Sequence, residues 1–75
     1  MLTPEDFLEK IKEDFGKGGE KGKIFGHITF LRAEEELSSG DFEDFEEMVS
    51  EQGFEIKDKY LEEAEKVLDA EELIQ

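Results

Sequence analysis

Apolar residues return every three or four positions in three stretches of this 75-residue chain, the interval at which side chains line one face of an α-helix. The clearest lies within Ser38–Ile56. Phe42, Phe45, Met48 and Val49 fall on one side there, and Glu43, Asp44, Glu46, Glu47 and Glu51 fill the other. Asp41 stands where an N-cap belongs, acidic residues follow in the first turn, and Gly53 comes after the last periodic residue as a stop. A second helix opens with Thr3 as N-cap, Pro4 at the first helical position and the carboxylates Glu5 and Asp6. Phe7, Leu8, Ile11 and Phe15 form its apolar face and Gly16 closes it. The third begins at a capping Asp58 and buries Tyr60 or Leu61, Ala64, Val67, Leu68 and Leu73, with Glu62, Glu63, Glu65, Glu71 and Glu72 turned to water. Phe54 and Ile56, in the connection before it, should point inward.

Between the first two stretches the pattern changes twice. Residues 16–23, GKGGEKGK, hold four glycines and three lysines with no apolar anchor and read as a mobile loop. No frame of this stretch supplies a P-loop or G-x-G-x-x-G, so it does not read as a nucleotide site. In residues 24–30 Ile24, Gly26, Ile28 and Phe30 alternate with Phe25, His27 and Thr29, which favours an extended segment. A lone strand has no partner, and AEEEL downstream favours helix. The expectation is therefore an extended lead-in followed by a short helix from about Thr29, with Phe30, Ala33 and Leu37 on one face. The fold class is all-α: a single domain over 1–75, a small three- to four-helix bundle with 24–30 as its one ambiguous piece.

Length and composition narrow the function. A chain of this size holds one core, and seven phenylalanines can fill it; a second copy of the chain, as a homodimer, can extend it. Cysteine is absent and His27 is the one histidine, which excludes disulfides, thiolate zinc sites and a multi-histidine metal site within one chain. The longest apolar runs are two residues, too short for a membrane span or a signal segment, and the expected compartment is the cytoplasm. The formal charge of −14 is unevenly spread: residues 1–32 hold six acidic and six basic side chains, residues 33–75 seventeen and three. Such a surface repels nucleic acid and anionic lipid and attracts basic proteins.

Candidate chemistry is sparse. Paired carboxylates serve as general acid and base when one is desolvated in a cleft, whereas these lie on expected solvent faces. From Asp41 the calcium-loop pattern fails, with Glu43 and Phe45 at the two places that need Asp or Asn and Glu46 where it needs glycine. Glu34–Glu36 or Glu43–Glu47 can hold cations loosely and without specificity. His27 reads as a packed imidazole rather than a catalyst, and nothing supports nucleophilic catalysis. The chain is not expected to be an enzyme.

Several pieces together resemble the acyl and peptidyl carrier proteins. They are Thr29-Phe30, then Ser38, then Phe42, Phe45 and Met48 at helix positions that carriers fill with apolar residues. Gly53–Ile56 followed by Asp58 resembles the carrier loop, and Val67, Asp69, Leu73 and Ile74 resemble the last helix. The resemblance implies a small acidic helical bundle with phosphopantetheine on Ser38, or on Ser39 one residue along. Carriers read Asp-Ser-Leu where this chain reads Leu37-Ser38-Ser39, and Glu34 stands in place of a glycine. The plain alternative for both serines is a polar interhelical turn.

The leading expectation is a non-enzymatic interaction module without a cofactor. Glu43, Asp44, Glu46, Glu47 and Glu51 would form its contact face for a basic protein surface, such as that of a nucleic-acid-binding protein. Carboxylates along a helix advance about 1.5 Å per residue and duplex DNA presents a phosphate charge about every 1.7 Å, so a DNA-mimicking inhibitor, host- or phage-encoded, is one version. A carrier with Ser38 modified is the alternative.

Overall fold

Among the described residues four helices account for almost all of the chain: α1 (Pro4–Gly16), α2 (Gly19–Glu36), α3 (Ser39–Glu51) and α4 (Asp58–Ile74). The computed structural model describes the backbone of residues 2–74 and the side chains of residues 2–71. The expected burial of Leu73, the exposure of Glu72 and the likeness drawn at Ile74 fall outside those side chains. No helix of the described residues is long and apolar enough to cross a membrane.

α1 starts as its sequence predicts. The Asp6 amide donates to Thr3 Oγ1 at 3.2 Å and the Thr3 amide donates to Asp6 Oδ2 at 3.0 Å, a reciprocal pair that satisfies two otherwise orphaned donors. Phe7 and Ile11 are buried and Leu8 and Phe15 pack beside them.

α2 is where the structure departs most from the periodicity. The expected loop over 16–23 shrinks to Lys17 and Gly18, and the expected extended segment at 24–30 is helix throughout. The reason is position. α2 packs against each of the other three helices, whereas α4 among the described residues packs on α2 alone, so the apolar side chains of α2 point in several directions and no single stripe forms. Gly22, Gly26, Thr29 and Ala33 are all buried and sit four, three and four residues apart, a small-residue row along which α1 comes close. A β-carbon on Gly22 would meet the Asp14 carbonyl oxygen at 2.9 Å, and one on Gly26 the Phe15 ring at 2.5 Å. Glycines that look like linker are thus a packing surface. Gly18 and Gly19 have φ of 77° and 67°, which lets the chain reverse in two residues at small cost.

α3 begins earlier than expected. Ser38, not Asp41, is its N-cap: Ser38 Oγ accepts from the Asp41 amide at 3.3 Å, and Asp41 lies in the first turn. Ser39, read as part of an interhelical turn, and Gly40 after it are helical. The far end follows the sequence. Gly53, at φ 82°, donates to the Ser50 carbonyl, and the Phe54 amide donates back to Val49, the hydrogen-bond pair of a Schellman stop. Asp58 likewise sits in the first turn of α4 rather than capping it, since the Lys57 carbonyl accepts the first helical bond, from the Leu61 amide at 3.0 Å.

The core is a phenylalanine seam shared by α1, α2 and α3. Phe45 is fully buried, with its ring centroid 6.1 Å from Phe7 and 5.9 Å from Phe30, and Phe42 lies 5.3 Å from Phe30. Each such ring contributes about 1.5–3 kcal/mol by leaving water. Tyr60 and Ala64 anchor α4, while Val67, expected inside, is 38 % exposed because α4 meets α2 alone among the described residues.

Candidate functional site

α3 carries the proposed contact residues off its buried Phe45–Val49 stripe, Glu46 bordering that stripe beside Val49. Glu43, Asp44, Glu46, Glu47 and Glu51 are all exposed. No lysine or arginine occurs between Arg32 and Lys57. The ion pairs of the described residues lie elsewhere: Lys10–Asp14, Arg32–Glu71, Lys57–Glu55 and Lys66–Glu63. The α3 carboxylates therefore have no counter-charge within 4.0 Å among the described residues. No three acidic or histidine groups among these residues converge closely enough to hold a metal ion.

The rest of the charge is organised by a parallel pairing that the sequence does not announce. Tyr60 donates to Glu20 Oε1 at 3.1 Å, near the start of α2, and Arg32 pairs with Glu71 at 2.9 Å, near the ends of α2 and α4. The two helices thus run in the same direction. Lys21, Lys23, Lys57 and Lys59 gather at their shared N-terminal end, with Lys23 and Lys59 over the Tyr60 ring at 5.7 and 4.8 Å. Towards the other end Glu34, Glu35, Glu65 and Asp69 line a cleft of about 230 Å³ floored by Leu31 and Leu68. No helix has a basic residue in its last turn. Carboxylates at a helix C-terminus oppose the dipole, at a cost of roughly 0.3–1 kcal/mol each at low salt.

His27 is structural. Its ring is completely buried; Nε2 accepts from the Lys57 backbone N–H at 3.0 Å, so Nδ1 carries the proton and donates to the Lys23 carbonyl at 2.6 Å. Burial holds the imidazole below its ordinary range, the Lys23 bond opposing that shift. Phe15 and Tyr60 enclose it, with centroids 5.8 and 5.2 Å away. The ring ties the start of α4 to α2. A second buried polar pair, Thr29 donating to Asp14 Oδ2, ties α2 to α1.

Ser38 and Ser39 are exposed at the start of α3. Ser38 Oγ holds the cap, and the hydroxyl is accessible while doing so.

A feature absent from the sequence reading lies between α3 and α4. No Cα of α3 comes within 8 Å of one in α4 among the described residues, and the gap is an open groove of about 440 Å³. Val49, Phe54, Ile56 and Leu61 line it above Phe30, with Glu46 and Asp58 at its edges. Of the contact residues read from the sequence, Glu46 alone reaches it. Phe54 and Ile56 are half-buried, as expected of inward-pointing loop residues, and both line this groove, Phe54 also lining the hollow beside Phe15 and His27. The chain matches no family model, no curated protein and no solved structure.

Proposed function

We propose that this protein is a non-enzymatic interaction module whose carboxylate-covered surface, centred on α3, docks on a basic surface of another protein. The supporting observation is the absence of counter-charge. Glu43, Asp44, Glu46, Glu47 and Glu51 lie in water on a helix held rigid by Phe42 and Phe45, with no cation of the described residues near them. Folding gains nothing from that arrangement, because like charges at i and i+4, such as Glu43 and Glu47, repel. A partner rich in lysine and arginine supplies what is missing, and its approach is accelerated by the field.

The test is capture of basic proteins on the immobilised chain, followed by titration of each purified prey with salt and with duplex DNA. Binding should weaken steeply with salt and fall strongly in E43K/E47K. Competition by DNA would assign the prey's nucleic-acid surface as the docking site, the mimic version of this reading. Binding that ignores both salt and the charge reversal would refute the module.

Ser38 supports a second reading, a phosphopantetheine carrier, through its exposed position at the first turn of the acidic helix. Coexpression with a promiscuous phosphopantetheinyl transferase should add one arm to the intact mass, lost in Ser38→Ala; an unchanged mass removes this reading.

A further inference from the structure

We propose that the groove between α3 and α4 receives one apolar side chain from a lysine- or arginine-rich helical segment of the partner, whose cations meet Glu46 and Asp58. The proposal rests on the interaction-module reading and specifies the chemistry of what is bound.

The groove exists because the six-residue connection from Gln52 to Lys57 spans two helices that do not touch. Its lining is the outer edge of the core. Val49 and Phe30 are almost fully covered, while Phe54, Ile56 and Leu61 keep part of their surface in water. Such a floor recognises an aliphatic or aromatic anchor and little else. The edges are a carboxylate from each flanking helix, Glu46 from α3 and Asp58 from α4. Neither takes part in an ion pair among the described residues.

Charge selects the occupant. A second copy of this chain brings a formal charge of −14 to a molecule of the same charge, and that repulsion disfavours it even though Lys57 and Lys59 flank Asp58. A basic amphipathic helix fits both parts: its apolar residue enters the floor while positive side chains a turn away on either side reach the edges. Ser50, exposed and lining the groove, adds little bulk at its mouth.

Two synthetic peptides test this: a lysine- and alanine-rich helix with one central leucine, and the same peptide with alanine in that place. Fluorescence anisotropy with labelled peptide should show the leucine peptide binding the wild-type chain about tenfold more tightly, as partial burial of the leucine side chain, equivalent to about two methylenes, implies. Ser50→Trp places an indole in the groove from a solvent-exposed position. It should erase the leucine preference while leaving salt-sensitive binding of both peptides, and its circular dichroism spectrum should match the wild type. Equal, salt-sensitive binding of both peptides to the wild-type chain overturns the groove proposal alone. Failure of both peptides to bind at low salt overturns the groove and the module together. A wild-type dimer that Ser50→Trp dissociates also overturns the groove proposal, because the site then belongs to a second copy.

Discussion

Replacing Gly26 by alanine sets two well-defined effects against each other. In an isolated helix the change stabilises, by about 0.8–1.0 kcal/mol on propensity. In this fold the added β-carbon would lie 2.5, 2.8 and 2.9 Å from three carbons of the Phe15 ring, where ordinary carbon contacts need about 3.5–4.0 Å. The ring must retreat by roughly 1 Å. It is not free to do so, being stacked on Phe54 at 4.9 Å with 6° between planes and set edgewise to His27 at 5.8 Å. Overpacking of this kind costs about 1–3 kcal/mol, so the net loss should be about 1 kcal/mol after the propensity gain. Gly40 is the control: it lies in α3 with no atom within 4 Å of an added β-carbon and without a positive φ. Gly40→Ala should stabilise by about 0.4–1 kcal/mol. Urea unfolding followed by circular dichroism reads both, with midpoints moving in opposite directions by up to about 1 M at a slope of about 1 kcal/mol/M. If Gly26→Ala raises the midpoint as Gly40→Ala does, α1 and α2 do not approach along the glycine row and the account of α2 is wrong.

His27 should make stability rise with pH. Its folded value lies below the ordinary 6.5, so its contribution is complete above about pH 6.5 and is lost as pH falls towards the folded value. The stability difference between wild type and His27→Gln should therefore shrink between about pH 7.5 and pH 5.5; a difference that grows would mean that the ring is held as imidazolium. Thr29→Val removes the hydroxyl donor of the buried Asp14 carboxylate, and a loss of about 1–3 kcal/mol in urea unfolding is expected. An unchanged midpoint would show that water replaces the hydroxyl. Raising sodium chloride from about 0.01 M to about 1 M shortens the screening length from about 30 Å to about 3 Å. The melting temperature should rise with that screening, since carboxylates at the helix C-termini and across α3 repel; a flat or falling melting curve would show that they are compensated.

The helical fold class was legible because it needs only local information. Thr3-Pro4, the Phe7 to Phe15 spacing, the Phe42 to Val49 stripe and Gly53 each act within a turn or two of chain. The outward placement of Glu43, Asp44, Glu46, Glu47 and Glu51 was legible in the same way, as the complement of the Phe45 face. α2 was not, because a helix surrounded on several sides loses the one-sided pattern, and because a glycine that admits a neighbouring helix has the same letter as a glycine that frees a loop. Only tertiary structure decided that Gly22 and Gly26 pack on α1, that α2 and α4 run parallel with lysines gathered at one end, and that α3 and α4 stand apart. The groove follows from that separation: its walls on α3 and α4 stand 16 to 31 chain positions from the Phe30 ring beneath them, and local periodicity carries no information about which surfaces fail to meet.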